Sequence, residues 1–135
     1  MTTYLEYYNT NLSPKLQEID LFLKTEEDNI IDINDVSKLL EITKSEIKEI
    51  MSVNGLNDIT KHSFFIIMLN GSSDICKLFA RELQVSIPDY YSISDISYIY
   101  QLPYESVLKA AKQASIEDKD ITSKNINELF AYIYV

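Results

Sequence analysis

The chain has 135 residues, of which 46% are hydrophobic, and it carries a formal net charge of −9 with a single arginine. This length suits one compact domain, or two very small ones that share a core. The acidic balance argues against binding to the phosphate backbone of nucleic acid, because such proteins present a stripe of lysine and arginine. A single cysteine excludes an intramolecular disulfide and disfavours a cysteine zinc site, and two glycines exclude the usual phosphate-binding loops.

The N-terminal sequence, MTTYLEYYNT, lacks the basic segment and the apolar core of a secretory signal. The longest apolar run, from Phe64 to Leu69, is far shorter than a bilayer span. We therefore expect no membrane association and a cytoplasmic location in a reducing compartment.

A tyrosine-rich arm precedes the first predicted helix. Tyr4, Tyr7 and Tyr8 either cover the edge of the core with their hydroxyls in water, or form a contact between two copies of the chain. Ser13 and Pro14 then predict the start of a helix, with Ser13 as the N-cap and Pro14 at the first helical position.

Two later segments, residues 33–54 and 93–114, each have the pattern of a short helix, a tight turn and a second helix. We expect a break ahead of the first segment, in the acidic run after Thr25, and another ahead of the second segment at Pro88. The acidic run lacks the oxygen spacing of a calcium-binding loop and is expected to be solvated surface.

Capping residues mark the helices of the first segment. Asn34 is placed to cap its first helix, and Thr43 with Glu46 predicts a capping box at the start of the second. Gly55 predicts a left-handed end to that helix, and Thr60 predicts the start of another.

The later part of the chain carries similar signals. Ser73 and Ser94 are expected to act as N-caps, and Pro103 is expected at the first position of the helix that follows the second turn. Thr122 or its neighbour is expected to begin the last helix, whose apolar stripe extends to Ile133.

A shift of about sixty residues superposes core and capping positions of the two halves. The matched pairs include Ser13 with Ser73, Ser37 with Ser97, Ile42 with Leu102, Ile47 with Val107 and, after a two-residue insertion, Ile59 with Ile121. We therefore predict an all-α protein of about eight helices in two pseudo-repeated helix-turn-helix-like units that share a core. The units are residues 1–71, with the leading arm, and residues 72–135.

Each segment resembles the general helix-turn-helix of DNA-binding regulators over about 20 residues. In that pattern a small residue on the first helix faces the second, an apolar residue follows the turn, and a branched residue comes about five positions later. Ser97, Leu102 and Val107 take these places in the second copy. Glu41 and Gln101 replace the glycine that is usual in the turn. The resemblance implies a regulatory role in a DNA transaction.

The second copy carries the candidate interaction residues. Tyr98 and Tyr104 fall off the apolar stripes of their helices, and exposed tyrosines suit protein interfaces. Glu105, Lys109 and Lys112 lie on the polar side of the second helix. The two lysines could contact phosphate, whereas the glutamate would repel it.

The sequence contains no arrangement that predicts catalysis. His62 is the only histidine and is expected at a helix start or on the surface. On the helix after Ser73, Cys76 is expected to be a small buried hydrophobe and Glu82 to point outward. No metal-ligand spacing or cofactor motif occurs, so we predict no enzymatic activity, no metal and no cofactor.

These observations favour a small non-enzymatic regulatory protein that acts through protein–protein contacts, in transcription or a related DNA transaction. A protein partner is expected, and a homodimer is an open alternative. A second alternative is a direct DNA-binding regulator that uses the helix Tyr104–Ala114. A third is an acidic inhibitor or nucleic-acid mimic, as found among phage-encoded proteins.

Overall fold

A computed structural model describes residues 2–25, 30–85 and 89–135, and in these ranges the chain forms helices joined by turns, with two isolated β-bridges and no β-strand. The predicted all-α class is confirmed. The helices are α1 (Tyr4–Tyr7), a π-helical turn (Tyr8–Leu12), α2 (Ser13–Thr25), α3 (Ile33–Leu40), α4 (Lys44–Val53), α5 (Lys61–Asn70), α6 (Asp74–Gln84), α7 (Ile93–Tyr100), α8 (Tyr104–Ala114) and α9 (Ile126–Phe130). The acidic run after Thr25 and the break at Pro88 lie outside the described residues.

The chain divides into two compact units. The terminal unit comprises Met1–Ser13 with Arg81–Val135, and the central unit is Pro14–Ala80. These ranges differ from the predicted repeats, 1–71 and 72–135. The difference arises because the N-terminal arm packs among the later residues, and because the beginning of α6 belongs to the central unit.

The backbone stays helical from α1 through α2, so the predicted cap at Ser13 is wrong. Ser13 has right-handed helical angles (φ −57°, ψ −45°), and the π-helical turn Tyr8–Leu12 precedes it. A proline has no N–H to donate, and its ring crowds the carbonyl group four residues earlier. The wider turn ahead of Pro14 accommodates both effects. The helix begins instead after Thr3, whose hydroxyl accepts the N–H of Glu6 at 3.2 Å.

In the central unit, the turn between α3 and α4 adopts the left-handed conformation without a glycine. Glu41 has φ 57° and ψ 41°. The hydroxyl of Ser37 on α3 donates to the carbonyl oxygen of Ile42 beyond the turn, at 2.6 Å. Thr43 then caps α4, because its hydroxyl accepts the N–H of Glu46 at 3.1 Å. The predicted tight turn and this half of the predicted capping box are present.

Two other capping predictions for the central unit are wrong. Asp32 caps α3 by accepting the N–H of Asn34 at 2.7 Å, so Asn34 lies inside the helix. The carboxylate of Glu46 accepts the hydroxyl and the N–H of Ser72, at 2.5 and 2.9 Å. Glu46 therefore connects the start of α4 to the loop between α5 and α6.

The core of the central unit is formed by apolar side chains from all of its helices. They include Ile19, Val36, Leu40, Ile47, Ile50, Phe64, Ile67, Met68, Ile75 and Cys76. The N–H of Ile31 donates to the carbonyl oxygen of Ile59 at 2.8 Å, which joins the segment before α3 to the segment before α5. Gly55 follows α4 with φ 66°, as predicted from the need for a left-handed residue at this end.

In the terminal unit, the turn between α7 and α8 has the same construction. Gln101 has φ 55° and ψ 49°, and the hydroxyl of Ser97 donates to the carbonyl oxygen of Leu102 at 2.6 Å. Helix α8 begins at Tyr104, one residue after the predicted first position. Pro103 is its N-cap rather than its first helical residue, because the ψ of Pro103 is 132°.

The N-cap of α7 is Ser92, and the prediction of Ser94 is wrong. The hydroxyl of Ser92 accepts the N–H of Asp95 at 3.0 Å, and the carboxylate of Asp95 accepts the N–H of Ser92 at 2.9 Å. This reciprocal pair is a complete capping box. At the other end of the motif, Ser115 ends α8 in the left-handed conformation with φ 58°.

The last helix is shorter than its apolar stripe. Helix α9 spans Ile126–Phe130, so its predicted start at Thr122 is wrong and Ile133 lies beyond its end. Ile133 is nevertheless 1% exposed, and its carbonyl oxygen accepts the N–H of Tyr4 at 2.6 Å. The chain leaves the helical path here because it pairs with the N-terminal arm, which a local pattern does not encode.

The arm completes the core of the terminal unit. The buried residues of this core include Tyr4, Ile93, Ile96, Val107, Ala110, Ala111, Ile121, Leu129, Phe130 and Ile133. The ring of Tyr4 lies 4.8 Å from the ring of Phe130, edge to face. The N–H of Tyr91 donates to the carbonyl oxygen of Ile121 at 2.7 Å, and this bond joins the segments before α7 and α9.

Candidate interaction surface on α7 and α8

Two exposed tyrosines flank the turn between α7 and α8. Tyr98 is 44% exposed and Tyr104 is 43% exposed. They line an open pocket of about 530 Å³ together with Ser94, Ser97, Gln101, Leu102 and Pro103. The hydroxyl of Tyr98 donates to the side-chain oxygen of Gln84, which fixes this ring at the rim of the pocket.

The exposed side of α8 brings the three predicted charged residues together. Glu105, Lys109 and Lys112 are all exposed, and their spacing places them on one face of the helix. The opposite face is buried through Val107, Ala110 and Ala111. Among the described residues, no ion pair within 4 Å involves any of these three charges. The face is therefore mixed in charge and exposed to solvent.

Tyr4, Tyr7 and Tyr8 do not form one exposed arm. Tyr4 is only 5% exposed and packs in the core, so it is removed from the candidate surface. Burial and its neighbouring tyrosines raise the pKa of its hydroxyl. Tyr8 is half-buried, and its ring contacts Phe130 at 5.3 Å. Tyr7 alone is exposed, at 44%. Most of the arm therefore covers the core instead of offering a contact surface.

The terminal unit contains a second, polar pocket of about 340 Å³ that the sequence did not indicate. It is lined by Tyr8, Asn9, Ser13, Glu82, Tyr91, Tyr100, Ser123, Ile126 and Asn127. Glu82 was predicted to point outward, but it is half-buried, and burial raises the pKa of its carboxyl group. Tyr91 and Tyr100 are nine positions apart in the sequence, but no local pattern brings them to Tyr8 and Glu82. The part played by the arm could not be read from a helix pattern.

The positions of the two potentially reactive side chains, Cys76 and His62, are consistent with structural roles. Cys76 is fully buried, and burial is the main cause that raises the pKa of its thiol. His62 is exposed in the first turn of α5. Among the residues that the structure describes, no group of three or more histidine, cysteine, aspartate or glutamate side chains is placed to hold a metal ion.

No protein-family model, no curated protein and no solved structure matches this chain. Within the described ranges, no single helix is long and apolar enough to cross a membrane, and only α5 and α6 taken together, with a bend of 99°, reach that length and composition.

Proposed function

We propose that the protein is a non-enzymatic regulator that binds another protein through the α7–α8 turn and the exposed face of α8. One observation carries this proposal: Tyr98 and Tyr104 are both exposed at the rim of one open pocket, beside the turn and the start of the helix that contacts DNA in helix-turn-helix regulators. The regulatory role, in transcription or a related DNA transaction, follows from the resemblance to helix-turn-helix regulators.

The chemistry of this surface suits a protein better than a nucleic acid. Tyrosines supply a large contact area at a low cost in side-chain entropy, and they are frequent at the centre of interfaces. The net charge of −9 opposes the approach of a phosphate backbone. A pocket between two tyrosines can accept one apolar or aromatic side chain of the partner, while Glu105, Lys109 and Lys112 set its orientation through charge.

A direct DNA-binding role is the second candidate, and Lys109 with Lys112 supports it. Both lysines are exposed on the same face of α8, the helix that would enter the major groove. Glu105 lies on that face and would repel phosphate. This candidate predicts a gel shift on random duplex DNA at ~50 mM salt, where electrostatic binding is strongest, and its loss in Lys109→Glu/Lys112→Glu.

We also propose that the chain arose by duplication of a helix-turn-helix-like unit. Four local features of the first half of the chain recur in the second half at a shift of about sixty residues. The shift becomes sixty-two at Ile121, after the two-residue insertion. The corresponding features are the left-handed residues Glu41 and Gln101, the bonds Ser37–Ile42 and Ser97–Leu102, the left-handed residues Gly55 and Ser115, and the bonds Ile31–Ile59 and Tyr91–Ile121.

The duplication is tested by exchanging the turns. Replacing Glu41-Ile42-Thr43 by Gln-Leu-Pro should cost no more than the lost cap of Thr43, roughly 1 kcal/mol, if the two turns are equivalent. A loss of several kcal/mol in urea unfolding would show that the two turns are not interchangeable.

The protein-binding function is tested by affinity capture with two matched double variants. Tyr98→Ala/Tyr104→Ala removes the pocket rim, while Tyr90→Ala/Tyr132→Ala removes two tyrosines that are exposed elsewhere, at 62% and 42%. We expect a partner captured by the wild type and by the control to be lost with the first variant. Retention of every captured partner by the first variant would contradict the proposal, provided that its unfolding curve is unchanged.

A further inference from the structure

The polar pocket of the terminal unit is an acidic cavity walled by aromatic rings. Its volume of about 340 Å³ lies within the range of small-ligand sites, roughly 300–1,000 Å³. The rings of Tyr8 and Tyr100 stand 6.2 Å apart at 73° and supply two walls. The hydroxyl of Tyr91 lies 3.5 Å from a carboxylate oxygen of Glu82, which places that ring beside the carboxylate.

The carboxylate of Glu82 lacks a cationic partner. None of the nine lining residues is a lysine, an arginine or a histidine. Among the described residues, no such side chain lies within 4 Å of the carboxylate. The neighbouring Arg81 directs its Nε to the carbonyl oxygen of Ile99, at 2.7 Å. Burial of an unpaired carboxylate is unfavourable, so a cation that enters the pocket would be attracted.

The electrostatic influence of this carboxylate reaches all three tyrosine hydroxyls. Burial is the first cause that raises the pKa of Tyr8, of Tyr91 and of Tyr100, and the charge of Glu82 raises each of them further. The three rings line the same pocket as the carboxylate, so one ligand in that pocket can lie near all four side chains.

We propose that this pocket binds an organic cation, a primary ammonium or a guanidinium group on a short apolar stem. Glu82 supplies the opposite charge, and the aromatic rings of Tyr8, Tyr91 and Tyr100 line the pocket, where ring electrons can attract the cation. Asn9, Asn127 and Ser123 place hydrogen-bond acceptors at the rim, where the N–H groups of the ligand can reach them. The site is separate from the α7–α8 pocket, and the proposal does not depend on the function proposed for that surface.

Two sources could supply such a cation: a free amine, or the side chain of a lysine or arginine on another protein. Both present the same group, so the first measurement uses simple probes. Butylammonium and butylguanidinium are titrated into the full chain, and the tyrosine ring signals are followed by NMR. Butyramide serves as the neutral control, because it has a similar stem without the charge.

We expect both cations to shift the ring signals of the pocket tyrosines in a saturable manner, and butyramide not to do so. Glu82→Gln should weaken binding at least about fivefold, because it removes the charge and keeps the shape. The matched control is Glu117→Gln, which removes an exposed charge after α8 and should leave binding unchanged. Thermal melts confirm that each variant is folded.

Equal binding by the wild type and Glu82→Gln, or equal shifts with butyramide, would overturn the proposal. If Glu82→Gln fails to fold, Tyr91→Phe and Tyr100→Leu replace it: the first keeps a ring face and should retain binding, whereas the second removes one and should weaken it. Weaker binding by Tyr91→Phe than by Tyr100→Leu would contradict the proposed contribution of the aromatic rings.

Nα-acetyl-lysine amide and Nα-acetyl-arginine amide then distinguish the two sources of the cation. Tighter binding than the butyl probes identifies a protein side chain, and weaker binding identifies a free amine.

Discussion

The hydroxyl of Ser97 donates to the backbone carbonyl oxygen of Leu102 at 2.6 Å, across a turn whose central residue is left-handed. The bond spans five residues and joins α7 to the segment that leads into α8. Leu102 is 8% exposed, so water has little access to its carbonyl group. This single bond therefore helps to hold the two helices of the motif at a fixed angle.

Removal of this hydroxyl tests its contribution. Ser97→Ala leaves a buried acceptor without this donor and should lower the free energy of unfolding by about 1–2 kcal/mol, measured by urea denaturation. The matched control is Ser94→Ala on the same helix, because Ser94 is exposed and should change the stability by less than about 0.5 kcal/mol. Equal effects of the two substitutions would show that the bond contributes nothing specific.

The left-handed residues Gly55, after α4, and Ser115, after α8, give a second prediction. Substitutions at the two positions should change the free energy of unfolding in opposite directions. Ser115→Gly should raise the free energy of unfolding by roughly 0.5–1 kcal/mol, because glycine adopts φ 58° without the strain of a side chain. Gly55→Ala should lower it by about 1 kcal/mol. No atom lies within 4 Å of the added Cβ, so the effect of Gly55→Ala is conformational rather than steric. Changes of the same sign in the two variants would contradict this account.

The sequence predicted the helices more reliably than the contacts between distant segments. Apolar periodicity located α8 to within one residue of its start at Tyr104, because that signal is local. The left-handed conformation of Glu41 and Gln101 was less evident, since glycine is the usual residue there. At both positions the packing of the flanking helices and the hydrogen bond from Ser37 or Ser97 across the turn favour the left-handed conformation, despite its intrinsic cost in free energy.

The sequence predicted only part of the candidate site, because its periodic pattern reports local structure and not contacts between distant segments. Tyr98 and Tyr104 are exposed, and helical spacing was sufficient to indicate this. Tyr4 and Glu82 are buried or half-buried because the N-terminal arm packs among residues that come much later in the chain, with its ring contacts to Tyr100 and Phe130 spanning more than ninety positions. Such long-range contacts leave no periodic signal in the sequence, so the polar pocket around Glu82 became visible only in the structure.

A close contact at Gly71 gives a third prediction. A Cβ atom at this position would lie 2.5 Å from the Sγ atom of Cys76, although the φ of Gly71 is an ordinary −74°. Gly71→Ala should therefore destabilise the protein by about 1–3 kcal/mol through overpacking alone. In Gly71→Ala/Cys76→Ala the sulfur is absent, so the two substitutions should cost less together than the sum of their separate effects. Strict additivity in urea unfolding would rule out this steric cause.

The bonds between Glu46 and Ser72 make stability depend on pH. The hydroxyl and the N–H of Ser72 lower the pKa of the Glu46 carboxyl from its ordinary value of 4.5. The folded state therefore binds the proton less readily than the unfolded state. The resulting stabilisation is complete above pH 4.5 and is lost as the pH falls through the folded pKa.

Glu46→Gln should remove this pH dependence. At pH 7 it should cost roughly 0.5–1 kcal/mol, a modest value because both bonds are exposed to water. The difference from the wild type should shrink in urea unfolding at acidic pH. Glu49→Gln, an exposed position on the same helix, is the control and should show no such convergence. A difference that stays constant with pH would contradict the role of the carboxylate.

The boundaries of the central unit predict which fragment of the chain folds alone. Residues 14–80 should unfold cooperatively in urea, whereas residues 14–71 should not. The longer fragment keeps the start of α6, where the hydroxyl of Ser73 donates to the carbonyl oxygen of Leu40 at 2.5 Å and Cys76 is fully buried. Without these residues the core is open on one side, and a unit this small has little stability in reserve. Equal cooperativity of the two fragments would show that α6 is not needed to close the core.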